Sequence, residues 1–214
     1  MPQVRISEIF HSLQGEARTV GRPTVFVRLT GCPLRCQYCD TAYAFSGGEM
    51  LAFEQILEKV ARHRCRYVTV TGGEPLAQPN CLPLLTNLCD LGYEVSLETS
   101  GALPIDNVDL RVSVVLDLKT PDSGECHRNL YENIPLLKPI DQVKFVICSR
   151  NDYQWSRMKL DEFNLAERVQ DVLFSPSYGQ VSSTELAEWI LEDALPVRFQ
   201  IQLHKLLWAD EPGR

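Results

Sequence analysis

Nothing in this 214-residue sequence approaches the ~18 unbroken apolar residues of a membrane-spanning helix, so no membrane association is expected. It also lacks a Pro/Gly/Ser-rich linker, a low-complexity tract and an internal repeat. With 44% apolar and 23% charged residues it reads as one domain over residues 1–214. Basic residues are outnumbered 21 to 28, a net charge of −7. Proteins held by nucleic-acid phosphates carry the opposite balance, so nucleic acid is not an expected partner. The opening MPQVRISEIF shows no charged leader followed by an apolar stretch, and a cytoplasmic location is expected. A disulfide framework is excluded too, because eight cysteines in 214 residues do not make a short, cysteine-dense scaffold. Five of them (Cys65, Cys81, Cys89, Cys126 and Cys148) stand apart in apolar segments and read as small buried hydrophobes. The most informative absence is a fourth cysteine beside the remaining three.

Those three, Cys32, Cys36 and Cys39, lie in "LTGCPLRCQYCDTAY" with the spacing C-x3-C-x2-C. Gly31 and Pro33 limit the loop's shape, so the thiolates can turn toward one centre. Structural zinc normally completes a tetrahedron with four protein ligands, and no second C-x2-C or H-x3-H pair exists here. His11 and His204 are distant in sequence. A cubane 4Fe-4S cluster normally takes four cysteines. Three leave one iron open to a small molecule bearing amine and carboxylate groups, a need met by the amino acid end of S-adenosylmethionine.

Short β-rich runs occur at 25–30, 67–71, 95–98, 112–118, 143–148, 172–175 and 197–202, with a further run at 4–10 at an edge or in an N-terminal hairpin. Their consecutive apolar residues predict strands buried on both faces. Helical periodicity appears between them. Phe53, Ile56, Leu57, Val60 and Ala61 form one stripe, and Leu84, Leu85, Leu88 and Cys89 another, ended by Gly92. Ser182 and Glu185 form a capping box before Leu186, Trp189 and Ile190. Residues 152–164 predict a helix packed through Trp155, Met158 and Leu160; residues 120–140 show little periodicity. Alternating strands and helices imply a parallel sheet. A closed eight-unit barrel needs ~250 residues, so the expected fold is α/β, an open partial (βα) barrel with a mainly parallel sheet. The polar motifs "TGCPLRCQYCDT", "TGGEP", "ETSG", "DLKTP", "SPSYG" and "LHK" all follow predicted strands. Ligands of parallel sheets collect there.

"CPLRCQYC" followed by "TGGEP" and "ETSG" resembles the radical S-adenosylmethionine superfamily. The block "EIFHSLQGEARTVGRPTVFVRLTGCPLRCQYCDT" is similar to the opening of the 7-carboxy-7-deazaguanine synthases, and the likeness runs from Glu8 to Lys205. That resemblance implies one 4Fe-4S cluster on Cys32, Cys36 and Cys39, S-adenosylmethionine as cofactor, and Mg2+ on Thr41. It implies ring contraction of 6-carboxytetrahydropterin with loss of ammonia, a carbon–nitrogen lyase reaction in 7-deazapurine (queuosine) biosynthesis.

The substrate residues so implied are Leu13, Gln14, Gly15, Glu16, Arg28, Thr71 and His204. Gln14 offers donor and acceptor to a pterin edge, Glu16 accepts from amino groups, and Arg28 suits a carboxylate. His204 would reach in from the last strand. Cofactor contacts are implied at Tyr38, Cys39, Asp40, Gly73, Glu74, Asp117, Leu118, Lys119 and Ser175. Gly72 and Gly73 would let backbone approach the methionine moiety. Thr41 otherwise reads as a helix-cap hydroxyl, yet magnesium takes few protein oxygens, so a single threonine suffices.

The chain departs from the family pattern at Asp117–Lys119, where S-P-K is usual, and at Ser175-Pro176, where Q-P is usual. Ala17 stands where glycine is usual and raises the question of a positive φ. The tail after Lys205 is longer than usual, and the substrate-binding C-terminal carboxylate of some members is not carried over to Arg214. Expected partners are a small-molecule pterin, a low-potential electron donor such as flavodoxin or ferredoxin, and a second copy in a homodimer covering open sheet edges. Two other readings stay open at this point, a glycyl-radical enzyme activase and a non-enzymatic zinc-binding module.

Overall fold

The computed structural model describes residues 2–209, 211 and 213; Met1, Asp210, Pro212 and Arg214, with its terminal carboxylate, lie outside the described residues. The chain begins with two strands, β1 (Gln3–Leu13) and β2 (Pro23–Leu29), then a short β3 (Glu49–Ala52) and helix α1 (Phe53–Ala61). There follow β4 (Tyr67–Gly72), α2 (Cys81–Asp90), β5 (Glu94–Thr99) and β6 (Ser113–Asp117). The chain continues through β7 (Gln142–Ile147), α3 (Arg150–Glu162), α4 (Leu165–Arg168) and β8 (Asp171–Pro176). It ends with α5 (Ser183–Glu192), β9 (Arg198–Phe199) and α6 (Leu203–Trp208).

All nine strands form one sheet in the order β3-β1-β2-β4-β5-β6-β7-β8-β9. β1 is antiparallel to both β2 and β3, whereas β2 and β4 through β9 are mutually parallel. The sheet does not close, and β3 and β9 are its edges. This is the open partial barrel expected from the alternation of elements.

The two faces of the parallel strands differ. Val27, Val70, Leu97, Leu116, Phe145 and Phe174 are buried in one core with Ile56 and Val60 of α1, Leu84 and Leu88 of α2, and Leu186 of α5. The alternate positions carry Arg28, Thr71, Glu98, Asp117 and Lys144. Register places Arg28 beside Thr71, Glu98 beside Val115 and Asp117 beside Lys144. The central strands are buried on both faces, as expected, but the inner face carries polar and charged side chains rather than a second apolar layer. The period-2 alternation of a strand puts helices against one face and a polar interior on the other.

Local signals are met where they were strong. Ser182 accepts from the Glu185 backbone N–H at 3.0 Å and starts α5. Gly92, at φ +85°, follows α2. In α3 the buried positions are Asp152, Tyr153, Ser156 and Leu160, so Met158 falls on the far side and is exposed, against expectation. The last expected strand shortens to Arg198–Phe199. Gln200 still donates its N–H to Phe174, after which the chain turns to dock on Gly15. Residues 120–140 hold three 3-10 turns, Pro121–Ser123, Cys126–Arg128 and Tyr131–Leu136, rather than a periodic element. Of the five isolated cysteines only Cys81 and Cys89 are buried; Cys65, Cys126 and Cys148 are half-buried.

Candidate active site

A cavity of about 580 Å³ opens at the carboxyl ends of the parallel strands. The loop between β1 and β2 forms one wall by crossing the barrel interior. Gln14 donates to the Arg22 carbonyl at 2.9 Å and accepts from Gly21 at 2.8 Å, which closes the loop on itself. From there Glu16 reaches Lys144 on β7 at 2.7 Å, and the Arg18 N–H donates to Gln142 Oε1 at 2.9 Å. The Gly15 carbonyl accepts from Leu203 at the start of α6 at 3.0 Å. Ala17 has φ +60° and is buried, so this turn does need the left-handed region, and the chain meets it with a strained alanine.

The cysteine loop forms another part of the wall. Cys32, Cys36 and Cys39 all line the cavity and are unpaired thiols. Burial pushes Cys32 up and Cys36 up to about 11, so loading a metal there must release protons. The loop is fixed from behind by the "TGGEP" turn. A Cβ on Gly72 would come 2.3 Å from the Leu29 carbonyl oxygen, and one on Gly73 2.3 Å from that of Gly31. These glycines thus serve close packing against the cysteine loop, a role that the motif alone does not reveal. Among the described residues no three His, Cys, Asp or Glu side chains converge as ligands of a single metal ion. A cubane has a separate iron for each cysteine, so its thiolates need not meet at one point.

Of the residues expected to bind substrate, Leu13, Gln14, Gly15, Glu16, Arg28, Thr71 and His204 all line the cavity. Their side chains are not equally available. The Gln14 amide donates to Thr69 Oγ1 at 3.1 Å and Glu98 Oε1 at 3.3 Å and accepts from the Glu16 N–H at 3.2 Å. It is therefore a brace for the loop rather than an open hydrogen-bonding edge, a correction to the expected role. Arg28 is held at Nε by Glu8, 2.7 Å away, which leaves its terminal nitrogens as the donors for a carboxylate. His204 sits on α6 rather than on a strand. Its Nδ1 lies where a Cβ on Gly15 would come within 2.1 Å, so Gly15 is what allows the ring to seat. Burial holds His204 below its ordinary value.

Tyr38, Cys39, Asp40, Gly73, Asp117 and Lys119 line the cavity as expected of cofactor contacts, and so does Thr41. Burial opposes the Asp40 charge, but the Lys205 and Lys144 ammonium groups hold its carboxyl below the usual range. Lys205 lies 3.3 Å from it. Lys119 is buried 3.0 Å from Asp117 Oδ2 and lies over the Tyr38 ring at 5.5 Å. Thr41 occupies the N-cap of a 3-10 turn at Ala42–Phe45, yet its hydroxyl makes no capping bond. The cap reading is thereby set aside.

Three expected cofactor residues do not reach the cavity wall. Glu74 is fully buried, and its carboxylate accepts from the Thr99 hydroxyl, the Ser100 N–H and hydroxyl, and the Leu76 N–H. It ties the ends of β4 and β5 together. The Leu118 side chain belongs to the outer core. Ser175 is buried beside Val146, which is on the wall, and its hydroxyl has no partner.

Among the wall residues not expected from the sequence are two charged ones of the inner strand faces, Glu98 and Lys144. Burial and the neighbouring Glu16 carboxylate push Glu98 up, against Lys144, a hydrogen bond from Thr71 and Arg28. Burial likewise opposes the charge on Lys144, but the carboxylates of Glu16 and Asp117 hold its ammonium well above the ordinary value. A lysine inside the apolar run "VKFVI" was the available signal for it.

Whether this cavity suits a cofactor and a polar substrate is tested by its orphan atoms. Glu16 Oε1, the Tyr38 hydroxyl and Asp117 Oδ1 are buried without partners, and all three residues line it. Buried polar groups without partners are costly, so a polar ligand at this wall fits the residues present. Three thiols as iron ligands fit a cluster, and the Thr41 hydroxyl, whose contact is the Cys39 sulfur at 3.8 Å, offers an oxygen that fits a magnesium ion.

An open parallel barrel with three thiols at its carboxyl rim defines a radical S-adenosylmethionine protein, and residues 26–130 match the family model of the Radical SAM superfamily. Similarity to individual proteins is closer still. The 7-carboxy-7-deazaguanine synthase of Chlorobaculum tepidum is 42% identical over 208 residues, covering 96% of this chain and 94% of that one. Its counterpart from Koribacter versatilis is 40% identical, with 97% and 98% covered. The chain belongs to the 7-carboxy-7-deazaguanine synthase family. The crystal structure of QueE from Escherichia coli shares the fold at a TM-score of 0.79 and 24% identity, covering 94% of this chain and 95% of that one.

Proposed function

We propose that this protein is a radical S-adenosylmethionine lyase that contracts the ring of 6-carboxytetrahydropterin to 7-carboxy-7-deazaguanine with loss of ammonia. The family relation sets aside the activase and zinc-module readings. The observation that supports the assignment to this site is that one cavity gathers both sets of groups. Three cluster-spaced thiols share it with Glu16, Arg28 and His204, which offer an acceptor, a cationic fork and an imidazole.

Cys32, Cys36 and Cys39 would hold the cluster, which when bound supplies the electron for reductive cleavage of S-adenosylmethionine. Tyr38, Asp40, Gly73, Asp117 and Lys119 would line the cofactor's place, with Glu74, Leu118 and Ser175 supporting it through backbone or packing. Arg28 binds the substrate carboxylate, Glu16 and Glu98 face its amino and ring N–H groups, and Gly15 seats His204 against it. Thr41 would bring magnesium to the substrate side of the cysteine loop. Radical chemistry needs such fixation, because one hydrogen must face one radical carbon.

No described helix is long and apolar enough to cross a membrane. Free thiols suit a reducing cytoplasm, where a flavodoxin or ferredoxin would serve as reductant. A homodimer would cover the open sheet edges.

The test incubates anaerobically reconstituted protein with S-adenosylmethionine, reductant and 6-carboxytetrahydropterin, with and without magnesium. The expected outcome is the deazaguanine acid, formed more slowly without magnesium. 5′-Deoxyadenosine appearing with no such acid would overturn the substrate while leaving the superfamily chemistry intact. Thr41→Ala is expected to keep the cluster absorbance and blunt the magnesium response; an undiminished response removes Thr41 as a ligand.

A further inference from the structure

Lys144 is the most deeply placed cation of the substrate wall. It projects from β7 into the barrel interior, on the same face as Gln142 and Val146. The side chains of Lys144 and Glu16 are 11% and 13% exposed, and the Nζ–Oε2 distance is 2.7 Å. The other carboxylate oxygen, Oε1, is buried with no partner. Glu98 differs, since its two oxygens already accept from Gln14 Nε2 at 3.3 Å and Thr71 Oγ1 at 3.0 Å. Glu16 thus presents a buried carboxylate oxygen without a partner, as Asp117 does with its Oδ1 elsewhere in the cavity, and its other oxygen is held by a lysine 128 residues away in sequence.

A carboxylate on a loop would otherwise rotate freely or turn toward water. An ammonium on a rigid strand fixes one oxygen and thereby aims the other, at a short charge-assisted distance. Burial makes the arrangement consequential, because a buried carboxylate without its counter-ion is strongly disfavoured. The same loop is already anchored to β7 by the Arg18 N–H on Gln142 at 2.9 Å, so the ion pair is not the loop's sole attachment.

From this geometry we infer that Lys144 is a positioning residue for substrate recognition: it fixes Glu16 so that Oε1 accepts from the N–H edge of the pterin. The inference rests on the proposed substrate and adds which residue sets its orientation. Lys144 acts through Glu16 and does not itself contact the ring.

A double-mutant cycle tests it. Reconstituted, unreduced protein with magnesium is titrated calorimetrically with 6-carboxytetrahydropterin, and thermal unfolding is recorded for each variant. Glu16→Gln and Lys144→Met are each expected to weaken pterin binding at least tenfold. The double variant should bind no more weakly than the worse single one, because the two residues act as a unit. Affinity for S-adenosylmethionine should stay within twofold of wild type throughout. The double variant buries no unpaired charge, so it keeps the test open even where Lys144→Met alone folds poorly.

Lys144→Met that lowers the unfolding temperature but leaves pterin affinity unchanged would make the pair a mere staple and overturn the inference. So would further weakening by Lys144→Met in the Glu16→Gln background, which would mean direct contact by the lysine. Unchanged binding by Glu16→Gln would show that the pterin does not depend on the Glu16 carboxylate, and would overturn the inference equally. Wild-type protein that binds no pterin is a different failure, that of the substrate reading itself.

Discussion

The two faces of the same parallel strands do different work. Along β7, Val143, Phe145 and Ile147 enter the core under the helices, while Gln142 and Lys144 turn inward to the loop and cavity. Along β5, Leu97 packs outward and Glu98 faces the site. One backbone thus carries stability on one face and chemistry on the other, a consequence of the strand's period of two. An apolar substitution on the outer face is therefore expected to change stability and spare binding, whereas inner-face substitutions act on binding and touch stability only through buried charge.

The largest effect should come from the outer face. Phe145→Ala removes a fully buried ring that stands edge-on to Phe174 and Trp155, and should lower stability by about 3–5 kcal/mol. Urea unfolding measures this, and pterin affinity per folded molecule should not change. If affinity fell while stability held, the division between faces would be wrong.

The inner-face counterpart is Arg28→Met. Loss of a charge-assisted contact should weaken pterin binding by about 1.5–3 kcal/mol. Glu8, its partner at 2.7 Å, is partly exposed, so the unfolding temperature should move little. Calorimetry and thermal melts on the same preparation separate the two.

A smaller effect distinguishes the faces by pH. The Glu98 carboxyl is raised above its unfolded value, so the folded chain holds a proton that the unfolded chain has lost. Stability then falls as pH rises above the ordinary carboxylate range. Glu98→Gln removes that dependence, and its unfolding temperature should improve relative to wild type as pH climbs from 4.5 upward. A constant difference across that range would refute the shift.

The smallest change is expected at Ala17. Glycine there would relieve a left-handed alanine, a gain of about 1–2 kcal/mol, but would lose a buried methyl and add backbone entropy to the unfolded chain. These offset, so Ala17→Gly should alter stability by no more than about 1 kcal/mol. A larger gain would show the turn to be more strained than its φ implies.

Much of this plan was legible in the residues. The alternation of runs and stripes foretold the parallel strands, and the cysteine spacing foretold which loop would bring three thiols to the cavity. Both depend on neighbours in sequence. The polar inner face was visible too, in "QVKFVI" and "EVSLET", but the apolar density of the strands masked it. Residues 120–140 resisted because 3-10 turns carry no sustained period.

Availability of side chains was not legible. Gln14 looked like an open amide and is braced by Thr69, Glu98 and Glu16; Glu74 looked like a cofactor contact and is a fully occupied knot. Each outcome depends on partners distant in the chain.

The sequence by itself determined most of the elements and the three-cysteine loop, because periodicity and spacing are local properties of the chain, and its likeness to relatives determined the family. Only the tertiary structure decided which polar atoms remain for a ligand. Hydrogen-bond capacity is shared among residues that meet only after folding, as Lys144 meets Glu16 across 128 positions.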